Sequence, residues 1–413
     1  MPGHKGKCVK NISNAFECDI TELSFSDNLA TPKTVIKKAQ CDLAKLCGAK
    51  CSFILTGGST LGVIAMCYTA SKFGNKLIVE RSAHKSVFNC LKLFNISPLF
   101  FDFENGDFEN CEYLKVVDNS VIGALITSPN YFGKSLNLEK ISSVLKQKGK
   151  FLFVDGAHGG HFTRLNSANY AGRFADIWVD GVHKTMHALT QGALLNLNDL
   201  SLEDAVREGL DIFSTSSPSY PIMASVESSV KTLFEYTEKQ INSYKSNLNI
   251  VLDAIVKRGF LPNIYDDLLK ITINTRNENG VKIGEYFESQ GVFAELAGEN
   301  LILFMFSLEF SKQDAQKLAK IILSAPVCEK EFKEIKTVSP KAKLDYLTAV
   351  NSKSEWVDLK SANNKICAKN AGLFPPCSPL IIAGEVFNNS VIQALSVQNT
   401  FGVVNGKVKV VKE

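Results

Sequence analysis

The sequence contains no apolar run long enough to cross a membrane and no apolar N-terminal segment typical of a secretory signal. Its longest apolar runs, such as Val121–Ile126, have the length of a strand. The lysines are spread along the chain instead of forming a basic tract, and the formal net charge is only +4. Composition therefore gives no reason to expect a membrane or a nucleic acid as a partner, and we expect a cytoplasmic protein.

Disulfide and metal-ligand patterns are also missing. The eleven cysteines include no CxxC pair, and the tightest group, Cys41, Cys47 and Cys51, has no histidine near enough to complete a zinc set. We predict reduced thiols that mostly act as small core residues, and no metal site. Arginine is scarce as well, since only Arg258 and Arg276 follow Arg207.

The first half of the chain alternates strand-like and helix-like patterns. With 413 residues, 45% of them hydrophobic, the chain is long enough for two domains. Strand–helix alternation between residues 50 and 195 predicts a mostly parallel sheet with helices on both faces. The predicted strands are Ser52–Leu55, Lys76–Glu80, Val121–Thr127, Lys150–Asp155 and Asp176–Asp180. The predicted helices between them include Ser59–Phe73 and Leu138–Lys148.

The second half predicts a smaller α+β unit. One long helical pattern covers Met223–Arg258, and Gly259 is placed to end it. The strands and helix predicted after it are Leu268–Thr275, Gly291–Leu296, Asn300–Leu308 and Lys312–Leu323. The segment Glu329–Ala371 is charged and irregular. We predict an α/β fold with an N-terminal arm and large domain, residues 1–245, and a small C-terminal α+β domain, residues 246–413.

Polar chemistry gathers at the ends of the predicted strands. In Asp176–Leu189 an apolar strand ends shortly before His183 and Lys184. Burial and a positive neighbour both lower the pKa of a lysine, and the neutral amine forms an imine with an aldehyde cofactor. The alternative is an exposed lysine that merely follows a strand. The histidines of this first half are His4, His84, His158, His161, His183 and His187, which are all that the chain has.

Two further segments suit the same kind of site. In Phe151–His161 an apolar strand delivers Asp155 to its carboxyl end, where a carboxylate can keep a pyridine nitrogen protonated. An acidic turn is the plain alternative for Asp155. In Ile54–Gly62 glycines follow a strand and Ser59-Thr60 opens a helix, which makes a cup for a phosphate, although both residue types are also ordinary helix caps.

The three segments together say more than each one alone. A phosphate cup, a strand-end aspartate and a strand-end lysine follow one another along the chain. Pyridoxal phosphate (PLP) needs this set of groups, because its phosphate, ring nitrogen and aldehyde each require a partner. The sequence therefore predicts a PLP site at the carboxyl ends of the strands.

With these motifs the sequence resembles the prokaryotic ornithine/lysine/arginine decarboxylase family, in its short form without an N-terminal wing domain. The resemblance runs through nearly the whole chain, and its motifs stand in family order. They are PGHKG at Pro2–Gly6, TGGST at Thr56–Thr60, RSAHKS at Arg81–Ser86, TSPNYFG at Thr127–Gly133, VDGAHGGHF at Val154–Phe162, DGVHKTMHALTQ at Asp180–Gln191, STSSPSYP at Ser214–Pro221 and LFPPCSPLIIAGE at Leu373–Glu385.

The resemblance implies fold type I, the aspartate-aminotransferase fold, and PLP-dependent decarboxylation of a basic amino acid. Lys184 would bond to the cofactor, Asp155 would hold its pyridine nitrogen, and His84 would stack on its ring. Lys184 or a nearby histidine would return a proton to the substrate. The other implied cofactor contacts are Gly58, Ser59, Thr60, Ala157, His158, His183, Thr215 and Ser216.

The resemblance also implies at least a homodimer, because Thr215 and Ser216 would complete the phosphate site of a neighbouring subunit. Some positions depart from the family pattern. Gly57 stands where Asn is common, Gly156 where Glu is common, and Gly181 where Ser is common. Cys377-Ser378 replaces a common Gly-Ile, and the chain begins almost at PGHKG.

Other readings stay open at this point. A different PLP reaction, such as transamination, uses the same fold, but it usually needs a carboxylate-binding arginine in the small domain, where arginine is scarce. A catalytically silent relative is a second alternative. For a decarboxylase the resemblance favours arginine, then lysine or ornithine. Asp19, Glu22 and Glu385 are the candidate acidic partners for the distal cation of such a substrate.

Overall fold

A computed structural model describes residues 15–101, 117–329, 338–374, 377–396 and 399–412. The PGHKG motif with His4 lies outside the described residues, as do Pro375 and Pro376 of the Pro-rich motif.

The strands, in chain order, are β1 Cys51–Leu55, β2 Lys76–Glu80, β3 Ser97–Phe101, β4 Val121–Thr127, β5 Phe151–Gly156, β6 Ile177–Asp180, β7 Ala193–Leu197, β8 Leu261–Asn263, β9 Lys270–Asn274, β10 Leu296–Ala297, β11 Leu301–Met305, β12 Ser354–Asp358, β13 Ala371–Leu373, β14 Pro379–Ile381, β15 Thr400–Phe401 and β16 Lys407–Val411.

The α-helices are α1 Ala15–Cys18, α2 Val35–Cys47, α3 Gly58–Ser71, α4 Lys85–Leu93, α5 Leu138–Gln147, α6 Phe162–Leu165, α7 Val182–Thr185, α8 Glu203–Phe213, α9 Tyr220–Glu235, α10 Glu238–Lys257, α11 Gly280–Ser289, α12 Lys312–Leu323, α13 Tyr346–Asn351 and α14 Asn389–Leu395. Single turns of 3₁₀ helix lie at Ser167–Asn169, Ala171–Arg173, Leu200–Leu202 and Leu359–Ser361.

The largest sheet has seven strands in the order β1-β7-β6-β5-β4-β2-β3. Strand β2 pairs in parallel with β3 and β4, and all five strands predicted from the sequence are present within one residue of their predicted bounds. Apolar residues fill these strands because both faces of the sheet are buried. The predicted mostly parallel α/β sheet is confirmed.

Strand β7 is the antiparallel member of this sheet, and the sequence analysis missed it. It lies between β1 and β6 and runs antiparallel to both. Its residues are buried without exception, so it shows no alternation of apolar and polar side chains. Its register places Ala193 opposite Leu55 at the end of β1. The chain therefore returns to β1 soon after Lys184.

By its internal contacts the described chain divides into two compact units. The first comprises residues 15–62, 127–139 and 154–329, and the second comprises residues 63–101, 117–126, 140–153, 338–374, 377–396 and 399–412. The predicted boundary between residues 245 and 246 falls inside α10 and stays a prediction.

The first unit contains the predicted α+β part. Its sheet has the antiparallel order β10-β11-β9-β8, and α10, α11 and α12 cover it. Tyr244, Ile271, Phe287 and Ile322 are all at most 1% exposed in its core. Each such side chain contributes roughly 2 kcal/mol of hydrophobic free energy. This core fixes β9, whose first residue, Lys270, is itself buried.

Two predictions for this part were wrong. The strand predicted for Gly291–Leu296 is misplaced, since only Leu296 belongs to a strand, β10. Gly291 adopts a left-handed conformation at the end of α11, and Val292 donates its N–H to the Phe287 carbonyl. The single helix predicted for Met223–Arg258 is two helices, α9 and α10, which the apolar period did not separate. In α10 the side chain of Thr237 accepts from Gln240 N, and the Gln240 side chain accepts from Thr237 N. This capping box starts a new helix there.

The second unit contains a C-terminal part for which no strand was predicted from the sequence, where only Glu329–Ala371 was described, as charged and irregular. Strands β12 and β16 pair antiparallel, and β13 lies between β14 and β15. A small core that includes Cys367, Phe387, Val391 and Val408 joins them. These strands have two to five residues, and β12 is mostly exposed, so their periodic signal is weak.

The cysteines within the described chain are free thiols. Cys47, Cys67, Cys90, Cys367 and Cys377 are buried, whereas Cys41 is exposed. Burial raises the pKa of the Cys367 thiol to about 12. Among the described residues, no helix has both the length and the apolar character needed to cross a membrane.

Replacing Thr237 by Ala should lower the free energy of unfolding by about 1 kcal/mol, because the capping box that starts α10 is lost. Urea unfolding followed by circular dichroism measures the change. Thr232→Ala, within α9 and outside any cap, is the control and should be neutral or stabilising. Equal effects of the two substitutions would contradict a helix start at residue 237.

Candidate active site

Lys184 lies in the first unit, on the short helix α7 that follows β6. Its Nζ is 3.2 Å from Nε2 of His158, which is within hydrogen-bond distance. The ring of Tyr131 meets the ring of His158 edge-on, with centroids 5.5 Å apart, and Tyr131 Oη donates to Glu295. The lysine named by the sequence analysis therefore stands in a cluster of groups that can exchange protons.

The segment before Lys184 makes an unusually close backbone approach. A Cβ atom at Gly181 would lie 2.3 Å from the Ala157 carbonyl oxygen and 2.9 Å from Ser59 Oγ. Three motifs that are far apart in the chain meet at this point: TGGST, DGAHGGH and DGVHK. The serine common in the family at position 181 has no room in this backbone, which accounts for the glycine.

The TGGST motif forms the start of α3. Gly58 has a left-handed φ of 70°, which suits glycine, and its N–H donates to the Gln191 carbonyl. Ser59 is buried, and its Oγ has no hydrogen-bond partner among the described residues, whereas Thr60 is exposed. An unpaired buried hydroxyl at a helix N-terminus fits a phosphate group. The residues present therefore suit the phosphate of PLP.

Asp155 lies at the end of β5, where the sequence analysis placed it. The carboxyl group is buried, and it accepts a hydrogen bond from the N–H of Ala157, which is also buried. A buried carboxylate needs a partner of opposite charge or several donors. A protonated pyridine nitrogen is a partner of this kind.

His183 points its Nδ1 at the Gly192 carbonyl, 2.9 Å away. Because a carbonyl only accepts, Nδ1 carries a proton. Burial, together with the charge of Lys184, lowers the pKa of His183, although the bond to Gly192 opposes this change. The neutral ring offers only an acceptor at Nε2, so His183 can donate to a phosphate only in its protonated form.

The remaining predicted cofactor residues are placed differently. Thr215 and Ser216 are exposed on the loop between α8 and α9, and the N–H of Ser217 donates to Thr215 Oγ1. His84 belongs to the second unit, where it caps α4 through a hydrogen bond from Ser86 N. Since Nδ1 of His84 accepts there, Nε2 carries the proton when the ring is neutral.

The polar network around Asp180 was not predicted from the sequence. This buried carboxyl ends β6, and its Oδ2 accepts from Tyr170 Oη at 2.7 Å, Trp178 Nε1 at 3.1 Å and Asn196 Nδ2 at 3.0 Å. Burial raises the pKa of Asp180 to about 7, although these three hydrogen bonds oppose the rise. The apolar strand around Asp180 hid it, because two of its three donors, Tyr170 and Asn196, come from outside that strand.

Glu385, a candidate partner for the substrate's distal cation, is engaged within the second unit. Arg81 binds both of its carboxylate oxygens, at 2.9 Å and 2.7 Å, and the N–H of Ile382 donates to Oε2. Burial raises the pKa of Glu385, and the charge of Arg81 opposes this rise. The other two candidates differ, since Asp19 is exposed and Glu22 bonds to Thr21.

Cys377 and Ser378, which replace the Gly-Ile common in the family, lie in the same unit, and their backbone and hydrogen bonds are described by the structure. Cys377 has a φ of 67°, a left-handed conformation that suits the glycine common in the family and strains a residue with a side chain. Ser378 Oγ donates to the Ser82 carbonyl at 2.7 Å, and Lys85 N donates to the Cys377 carbonyl. These bonds hold the Pro-rich motif to the RSAHKS motif.

Comparison with known proteins gives concordant results. Residues 11–258 match the family model described as Orn/Lys/Arg decarboxylase, major domain. The chain is 31% identical to the uncharacterized protein YaaO of Bacillus subtilis, over 96% of this chain and 90% of that protein. It is 27% identical to the arginine decarboxylase of the same species, over 94% of this chain and 87% of that protein.

Among solved structures, lysine decarboxylase A from Pseudomonas aeruginosa has a similar fold. The TM-score is 0.77 at 15% sequence identity, and the match covers 96% of this chain and 74% of that one. At this identity the likeness concerns the fold alone. It confirms the fold class predicted from the sequence.

Replacing Gly181 by Ala should lower the free energy of unfolding by about 1–3 kcal/mol, because the added methyl group collides with a backbone carbonyl that cannot rotate away. Urea unfolding measures the change. Gly298→Ala is the matched control, since the nearest atom to its new methyl group would be 3.8 Å away. A Gly181→Ala protein as stable as the control would contradict the close approach.

Asp180 should make stability depend on pH. Its folded pKa of about 7 lies above the ordinary value of 3.8, so its contribution is full below about pH 4 and is lost as the pH rises to 7. The free energy of unfolding should fall over this range by at most about 4 kcal/mol. Asp180→Asn should flatten the profile, as measured by urea unfolding from pH 4 to 8.

Asp253→Asn, on the exposed face of α10, is the control for Asp180→Asn and should leave the profile unchanged. If Asp180→Asn and the control gave the same slope between pH 4 and 7, another group would be the source of the pH dependence.

Proposed function

The chain belongs to the Orn/Lys/Arg decarboxylase family, and we propose that it removes the α-carboxylate of a basic amino acid as CO2 with PLP as its cofactor. The observation that carries this proposal is the meeting of the three motifs at Gly181, with Lys184 and His158 in hydrogen-bond contact beside it. Each of these motifs supplies one group that PLP requires.

We propose the following roles for the residues of the site. Ser59, Thr60 and the N-terminus of α3 would hold the phosphate, with His183 as a further donor when protonated. Asp155 would hold the pyridine nitrogen, and Ala157 would pack on the ring. His84 would contact the ring as well, and Thr215 with Ser216 would serve the phosphate site of a neighbouring subunit. The unpaired hydroxyl of Ser59 and the burial of Asp155 support the first two assignments.

When bound, PLP supplies an electron sink for the electron pair that remains on the substrate's α-carbon as CO2 leaves. The chain's own residues must then deliver a proton to that carbon. Lys184 and His158 are the candidates, because Nζ and Nε2 lie 3.2 Å apart and can share a proton. Tyr131 restricts the His158 ring by its edge-on contact.

Arginine is the substrate that we favour, followed by lysine and ornithine. The support is the similarity to proteins named arginine decarboxylase over nearly the whole chain. Arg81 already neutralises Glu385, which weakens this glutamate as the partner of a substrate cation. The identity of the basic substrate is thus a question for direct assay.

Transamination is the second candidate function. A transaminase usually holds the α-carboxylate with an arginine from the small domain, and here Arg258 binds Glu278 with two hydrogen bonds. Arg276, with a φ of 56°, stays a candidate. A catalytically silent protein would require a defective cofactor site, and the predicted groups are all present in the sequence.

The predicted homodimer and the cytoplasmic location belong to the same proposal. The exposed Thr215 and Ser216 are available for contact with a second subunit. Analytical ultracentrifugation tests the dimer directly.

Replacing Lys184 by Ala should abolish activity. The wild-type protein, purified with PLP, should show the visible absorbance of bound cofactor and release CO2 from arginine, lysine or ornithine. The variant should lose this absorbance band and at least about a thousandfold of kcat, because both the covalent anchor and a proton donor are removed. Spectra and CO2 release measured in parallel check this.

Lys257→Ala, at an exposed position of α10, is the control and should behave as wild type. A wild-type protein with the cofactor band but without CO2 from any of the three substrates would contradict decarboxylation and favour transamination. Absence of the band would favour the silent protein.

A further inference from the structure

A fully buried group of three charged or titratable side chains lies in the first unit, and the proposed mechanism does not use it. Asp267 Oδ1 is 2.7 Å from His161 Nε2, and Asp267 Oδ2 is 3.3 Å from Lys270 Nζ. The three side chains are at most 1% exposed. We call His161, Asp267 and Lys270 the buried triad.

Removing the charged groups of the buried triad from water costs free energy. Burial pushes the pKa of Asp267 up, but the charges of His161 and Lys270 outweigh it and hold the pKa at about 2. Buried ion pairs can often be replaced by apolar side chains of similar volume without loss of stability. A gain in stability therefore does not explain well why these three charged side chains are buried. A role in positioning neighbouring segments explains it better.

The triad joins two loops that carry groups of the candidate active site. His161 ends the DGAHGGH segment, in which Asp155 and His158 lie. Gly133 ends the TSPNYFG segment, in which Tyr131 lies, and a Cβ atom at Gly133 would be 2.6 Å from Asp267 Cβ. Asp267 thus contacts both loops from one position.

The neighbouring residue strengthens the same connection. Asp266 Oδ2 accepts from Ser135 N at 2.7 Å, and the Asp266 carbonyl accepts from Asn166 Nδ2 at 2.9 Å. Asp267 also accepts from Leu269 N, which fixes its own carboxylate. The segment that starts β9 is therefore tied to residues that follow each loop.

The two loops meet again at the cofactor lysine. The ring of Tyr131 contacts the ring of His158, and His158 Nε2 is 3.2 Å from Lys184 Nζ. Lys184 also acts electrostatically on Lys270, which adds to the lowering of the pKa of Lys270 by burial. Lys270 of the buried triad therefore interacts electrostatically with Lys184 of the candidate active site.

We propose that Asp267 is a positioning residue that holds the Tyr131 loop and the His158 loop together and so fixes His158 against Lys184. Its effect on catalysis rests on the proposed function, whereas its effect on the two loops does not. Asp267 is fully buried, and it acts through His161 and through the packing on Gly133.

The first test uses the protein without PLP. Asp267→Asn keeps the shape of the side chain but removes the charge that attracts His161 and Lys270. Amide hydrogen exchange followed by mass spectrometry should be at least about tenfold faster in residues 127–135 and 155–161. Glu278→Gln is the matched control. In this unit Glu278 also forms an ion pair with two hydrogen bonds, to Arg258, and it accepts a hydrogen bond from Cys328 N.

The control should accelerate exchange near Cys328 and leave both loops unchanged. Equal exchange of the loops in Asp267→Asn and Glu278→Gln would overturn the proposal. If Asp267→Asn does not fold, Asp267→Asn combined with Lys270→Met removes the uncompensated buried cation, and the same comparison decides.

The second test uses the protein loaded with PLP and the substrate that wild type decarboxylates. Asp267→Asn should lower kcat at least about tenfold and change KM less than about threefold, because substrate contacts are retained while the His158–Lys184 geometry loosens. Glu278→Gln should change neither constant. A rise in KM with unchanged kcat would contradict a positioning role. If wild type itself releases no CO2, the proposed function fails, and hydrogen exchange still decides the role of Asp267.

Discussion

The backbone of Gly181 runs against the Ala157 carbonyl at a distance that no side chain tolerates. This contact brings the strand that leads to Lys184 next to the loop of Asp155 and His158, with Ser59 at the same spot. The proposed phosphate cup, acid and lysine come from three separate segments, which this close approach of their backbones brings together. Geometry of this kind has little tolerance, since a misplacement of about 1 Å costs much of the rate. The core around β6 and β7 therefore serves the site as much as it serves stability.

Much of the fold could be predicted from the sequence, and the misses have physical reasons. Five strands of the large sheet were found because they are short apolar runs separated by helix-length segments, whereas β3, which is parallel to β2, was not predicted. Strand β7 was missed because only the four-residue helix α7 and a loop separate it from β6, so no helix-length pattern marks it as a separate strand. The break between α9 and α10 was missed because helical patterns continue on both sides of it, and the one local signal is the Thr237–Gln240 spacing of the capping box. The C-terminal strands pair over long sequence distances that no local pattern records.

The same division applies to the candidate site. Lys184, His158 and Asp155 were identifiable because strand ends, glycines and family motifs mark them. Tyr131 lies within a motif, but its contact with His158 depends on the conformations of two loops, which the sequence pattern does not show. Asp180 accepts hydrogen bonds from Tyr170 and Asn196, which lie outside its strand, and Asp267 pairs with His161, 106 residues away in the chain. A buried carboxyl of this kind looks like an ordinary strand-end or turn residue until its donors are known. Long-range polar partners are thus the part that sequence patterns leave out.

The stretch from Lys184 to Ala193 is anchored at both ends. His183 N donates to the Gly192 carbonyl, Gly58 N donates to the Gln191 carbonyl, and Ala193 is in register with Leu55. Loops on the surface usually accept insertions and deletions at a small cost in stability. The stretch between Lys184 and Ala193 has a fixed length, because both of its ends are held by hydrogen bonds. One added residue would move either the lysine or the strand that borders the phosphate cup. For protein engineering, the consequence is that tags and grafted loops should be inserted outside this stretch. Among related sequences, a change in the length of this stretch indicates that the activity is lost or altered.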